Sequence, residues 1–211
     1  MGKLGLGCVA LLVVLAVIVG VSMAGTYNRL VKLGQDVDKQ WGNVESAYQR
    51  RADLVPNLVA TVQGAANFEK STLEAVVNAR ASVGRAQINA PNAPTDPGQL
   101  AQFEAAQAQL GAALQRLLVV VERYPELKAN QNFRDLQAQL EGTENRINVE
   151  RMRYNDTAQN YNTARLRFPT NVFASMFGFK EKAYFKAVTP GAERAPAVNF
   201  DFRNATPLPA R

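Results

Sequence analysis

Glu141 and Glu144 stand three residues apart, the spacing that sets two carboxylates on one helix face and the nearest approach in this sequence to an acid–base pair. The same spacing is commonplace on solvated helices, so it argues for no reaction by itself. Histidine is absent, and the single cysteine, Cys8, lies inside an apolar run. Imidazole catalysis, thiolate clusters and Cys/His zinc sites are therefore excluded, and no disulfide can close within the chain. Catalysis would have to rest on carboxylates, lysines and tyrosines converging in a pocket. The chain is read as non-enzymatic, with no cofactor and no metal site.

Arg51 is the other residue whose chemistry needs explaining. It falls between Val44 and Leu58 on a row of otherwise apolar residues at intervals of seven. An unpaired guanidinium inside a core costs several kcal/mol, so it needs an acidic partner. Glu122, beside a Tyr-Pro-Glu-Leu turn, and Glu144 are the candidates, and in such a pair Arg51→Met would strand a buried carboxylate. The alternative is a register shift at Pro56 that lets Arg51 snorkel to water.

Lysine and arginine total 24 against 18 acidic residues, a net charge of +6. The two signs are interleaved: Arg146, Arg151 and Arg153 alternate with Glu141, Glu144, Glu150 and Asp156. A nucleic-acid binder would concentrate its bases on one stripe or tail, so that partner class is set aside.

The elements that position these residues start with Leu4–Ala24, 21 residues without a charge. A helix of that length spans roughly the ~30 Å hydrocarbon core of a bilayer. The competing reading is a cleaved secretory signal, with Lys3 as its basic start and Ser22, Met23 and Ala24 as its small-residue site. Retention is preferred because a helical pattern resumes at once at Tyr27. The expected topology is a single crossing of a membrane. The side stays open: Arg29, Lys32 and Lys39 against Lys3 lean towards a cytoplasmic domain, the short basic start towards an extracytoplasmic (periplasmic) one, which is the working expectation.

Beyond the apolar stretch the spacing predicts an all-α, elongated antiparallel bundle with coiled-coil-like packing. Val37, Val44, Arg51 and Leu58 form one row and Trp41, Tyr48, Val55 and Val62 another. Pro56 predicts a kink near Arg51 and Ala52, because it removes a donor and crowds the carbonyl four residues back. A second helix is predicted over Glu69–Asn89, a proline-rich loop over Ala90–Gly98, and a third helix through Phe103, Leu110, Leu117 and Tyr124 to Pro125. The fourth is a long rod on which Phe133, Leu140, Ile147, Tyr154, Tyr161 and Phe168 recur every seven residues, read as core packing. Asn155 and Asn162, each beside one of the tyrosines, are expected to tie neighbouring helices by hydrogen bonds.

After Pro169 the chain is unusually apolar. Phe173, Met176 and Phe177 fall three and one apart on a short amphipathic turn that, with Phe179, is the candidate interaction surface; it could cap the bundle, dock a partner chain or dip into a membrane. The expected divisions are residues 1–26, a transmembrane helix; 27–168, the bundle; 169–186, the apolar amphipathic segment; and 187–211, an extended or disordered tail that includes an alternating Val198, Phe200, Phe202 stretch.

The strings YNRLVKLGQDVDKQWGNVESAYQRRADLVPNLV, VVNARA, VVERYPELKANQNFRDLQAQLEGTENRINVERMRYNDTAQNYN and FPTNVFASMFGFKEKAYF closely resemble the LemA family, from the apolar stretch to about Phe185. The resemblance implies a bacterial membrane protein with one N-terminal helix and an elongated antiparallel bundle, in a family some of whose members are associated with shaping intracellular membranes. The expected function is a membrane-anchored scaffold or oligomeric structural protein, held in the lipid bilayer by its first helix and self-associating. The alternative is an adaptor for a membrane protein partner such as a protease.

Overall fold

The computed structural model describes residues 2–64, 68–86 and 92–186, with the side chains of residues 2–10 left aside. Among these, six helices follow one another: α1 Gly2–Gln63, α2 Lys70–Arg85, α3 Pro97–Val121, α4 Pro125–Ala129, α5 Gln131–Leu166 and α6 Thr170–Met176. The expected all-α, antiparallel architecture is what the chain adopts. α1 pairs with α5, and α2 pairs with α3. The pairing of α1 and α5 is antiparallel: Leu30 packs with Ala164, Gln40 reaches Glu150, and Arg51 reaches Glu144.

α1 is a single helix, roughly 90 Å long at 1.5 Å per residue. Its apolar first part is exposed from Leu11 to Val21 and is long and apolar enough to cross a membrane. From Leu30 onward the helix enters the bundle, and both predicted rows are buried, Arg51 included. The distal core is built by α1, α2, α3 and α5 around Val55, Leu58, Val76, Leu110 and Phe133. The proximal core surrounds Trp41, Phe103, Tyr154 and Phe185.

The aromatic row of α5 is buried from Phe133 to Tyr161, but Phe168 is 84% exposed. α5 ends at Leu166 and Arg167 is extended, so a seven-residue spacing no longer returns a side chain to the same face. α3 begins earlier than the loop reading allowed. Pro97 takes the first helical position, where its missing N–H costs nothing, and Asp96 accepts a hydrogen bond from the Gly98 amide at 2.8 Å. α3 also stops at Val121, short of Pro125, which instead opens α4. Of the predicted second helix, Lys70–Arg85 is observed; residues 87–91 lie outside the described residues, as does the tail 187–211.

α1 continues through Pro56 as one helix. Pro56 has no N–H for the Ala52 carbonyl, and Arg80 of α2 supplies a donor instead, its Nε lying 3.1 Å from that oxygen. Arg80→Met should therefore cost about 1–2 kcal/mol of stability, the price of a charge-assisted bond to a carbonyl left bare. In a Pro56→Ala background, where a backbone N–H returns, the same substitution should cost markedly less. A double-mutant cycle by denaturant unfolding measures the difference; equal costs in both backgrounds would show that Arg80 is not completing the helix.

Candidate functional site

The site with the densest long-range chemistry lies where α5 meets the segment that follows α6. Gly178, at φ 74°, turns the chain out of α6, and the Phe179 amide bonds back to the Ala174 carbonyl at 2.9 Å. Residues 179–186 then run as an extended strap along α5, in the opposite direction. Asn155 donates to the Phe185 carbonyl at 3.0 Å and accepts from its amide at 2.9 Å. Asn162 makes the same pair of bonds with Lys182, both at 2.9 Å. Tyr154 and Tyr161 donate to the carbonyls of Ala183 and Lys180, each at 3.0 Å.

The geometry follows from two periods. Seven helical residues rise about 10 Å, and three extended residues cover about the same distance. Amides seven apart on α5 can therefore grip backbone groups three apart on the strap. The partner of Asn155 and Asn162 is this strap, not a neighbouring helix as their position suggested. A side-chain amide offers one donor and one acceptor side by side, matching one residue's N–H and C=O as a neighbouring strand would.

The strap's other edge is held by the segment before α3. The Ala183 amide donates to the Pro94 carbonyl at 3.0 Å. Buried Lys182 reaches Asp38 at 2.8 Å and the Ala93 carbonyl at 3.3 Å, while Asp38 also accepts from the Ala93 amide at 2.9 Å. Phe185 anchors the strap's far end: its ring stacks against Trp41, meets Tyr154 edge-on at 5.3 Å and lies 4.6 Å below the Arg151 guanidinium. Burial, with the Asp38 charge nearby, pushes the Tyr154 phenol up, so it stays a protonated donor.

Arg51 sits where α1, α3 and α5 meet. Its guanidinium lies 2.9 Å from Glu144 and donates to both the carbonyl and the side-chain oxygen of Gln107. Glu122, the other suggested partner, is remote from it, pairing with Lys128 across the turn from α3 to α4. The Glu144 side chain is 41% exposed, so the carboxylate is not the buried member that the sequence suggested; the guanidinium, at 5%, is. Glu141, the other half of the carboxylate pair, accepts from Gln137 on its own helix. The two acids therefore have separate structural partners.

The four residues of the candidate interaction surface divide. Phe173 and Phe179 are half-buried, with Phe179 packed against the small core of Leu30, Ala164 and Ala174. Met176 and Phe177 are exposed, and Phe177 also meets Tyr27 edge-on at 5.2 Å. The segment thus both caps the bundle and leaves an apolar rim. What sequence reading missed was the strap, on which Lys182, Ala183 and Phe185 are buried; the signal was the Tyr-Asn repeat at seven residues.

Among known proteins, the LemA family model matches residues 40–200, past the point where motif resemblance stopped. Magnetosome protein MamQ 2 of Paramagnetospirillum magneticum is 29% identical over 208 residues, covering 90% of this chain and 76% of that protein. MamQ of Magnetospirillum gryphiswaldense is 27% identical, covering 87% and 74%. Protein LemA of Metamycoplasma hominis is 23% identical, covering 85% and 77%. With a family model spanning most of its length and the quoted motifs in order, the chain belongs to the LemA family.

Proposed function

We propose that the protein is a non-enzymatic scaffold, anchored in the bacterial cytoplasmic membrane by the first part of α1 and assembling with copies of itself. The observation that carries this reading is the continuity of α1: one helix leads from the apolar stretch into the core with no linker. A bundle joined in that way cannot swivel freely on its anchor, which suits a fixed spacer or assembly unit. The polar groups inside the bundle support it too. Arg51, Lys182 and Glu150 each have partners within the chain, Glu150 accepting from Gln40 at 2.7 Å and pairing with Arg153. Buried charges used in this way fix packing and register. Two of the relatives are named as magnetosome proteins.

Cross-linking the full chain in intact membranes, followed by affinity capture, tests the proposal. A ladder of multiples of this chain is expected. Monomer recovered only together with a different membrane protein, such as a protease, would replace the scaffold with an adaptor.

A further inference from the structure

The apolar rim at the α6 end lies unusually close to the apolar part of α1. Leu166, Phe168, Val172 and Met176 are each more than half exposed, and Phe177 nearly so. Phe177 is in ring contact with Tyr27, only two turns along α1 from Val21. Counted from Ala24, where the apolar stretch ends, Tyr27 is three residues further on, a rise of roughly 4.5 Å, within the about 5–7 Å of a headgroup layer. With the apolar stretch in the bilayer, the rim is therefore level with the membrane surface. Exposed Arg167 and Lys180 flank it, and Tyr27 stands where tyrosines favour the interface.

We propose that this rim is a second membrane contact, in which Phe168, Val172, Met176 and Phe177 enter the headgroup and acyl boundary of the bilayer that α1 crosses. Half-buried Phe173 and Phe179 hold α6 to the bundle, and the outward side chains meet lipid. The continuity of the rim with the apolar helix selects lipid as the occupant, and the flanking cations suit anionic headgroups. Two attachments would fix the tilt of the rod, where one helix alone would allow it to vary. The inference rests on the membrane anchoring proposed above, but not on self-assembly.

The test uses the full chain in phosphatidylglycerol–phosphatidylethanolamine vesicles whose acyl chains carry bromine near the headgroup. Phe168→Trp and Met176→Trp place reporters on the rim, and Val119→Trp, exposed on α3, serves as a control. Trp41 is the sole native tryptophan and is buried, giving a constant background. The rim tryptophans should lose most of their emission to brominated lipid and resist aqueous iodide, with the control behaving oppositely. Rim tryptophans quenched by iodide like the control would overturn the proposal. Shielding from both quenchers would overturn it in favour of a second copy covering the rim. Extraction of the chain by alkaline carbonate would overturn the anchoring itself, whereas retention without lipid quenching would sink only the rim contact.

Discussion

Asn155→Ala combined with Asn162→Ala should release the strap from α5 while leaving the six helices in place. Each substitution removes a donor and an acceptor from a single strap residue, so four backbone hydrogen bonds disappear together. A buried polar group left without a partner costs about 1–3 kcal/mol, and a strap that opens to water recovers part of that. A net loss of about 3 kcal/mol for strap docking corresponds to roughly a hundredfold faster hydrogen exchange. The amides of Lys182 and Phe185 should show it, and trypsin should gain access to the bond after Lys182. Helicity should be almost unchanged, because the strap contributes no helix. Unaltered exchange at these amides would mean that Phe185 and the Lys182–Asp38 pair hold the strap without the asparagines.

The second large effect is an asymmetry across the Arg51–Glu144 pair. Glu144→Ala leaves the buried guanidinium with only Gln107 oxygens as close polar partners, whereas Arg51→Met leaves a carboxylate that already reaches water. Removing one member of a buried pair costs ~3–5 kcal/mol when the survivor cannot rehydrate. The partial exposure here reduces that to about 2–3 kcal/mol for Glu144→Ala. Arg51→Met should cost less, about 1–2 kcal/mol, mostly from the unsatisfied Gln107 oxygens. At a domain of this size the Glu144→Ala melting temperature should fall by roughly 5–10 °C. Equal losses, or a larger loss for Arg51→Met, would mean that packing of the arginine stem over Tyr48, and not its charge, governs the site.

Elements governed by a local period were legible in the sequence. The rows of α1 and α5 announced their buried faces through seven-residue spacing, and even Arg51 was placed inside by its position on a row. The strap was not, because an extended segment is stabilised by partners far away in the chain. Lys182 reads as a surface residue until Asp38 and the Ala93 carbonyl are seen around it. The role of Arg80 at Pro56 was hidden for the same reason: the donor that meets the Ala52 carbonyl comes from another helix. Phe168 marks the opposite error, a local period extended past the end of the helix that gave it meaning. The interaction surface divided because burial on one turn depends on which side α1 approaches.

The mass of the full chain in mild detergent, measured by light scattering with the detergent contribution subtracted, bears most directly on the scaffold role. A defined particle containing several copies is expected, persisting on dilution. A monomer at every concentration that retains its helicity would contradict self-assembly and leave the protein as an adaptor awaiting a different partner.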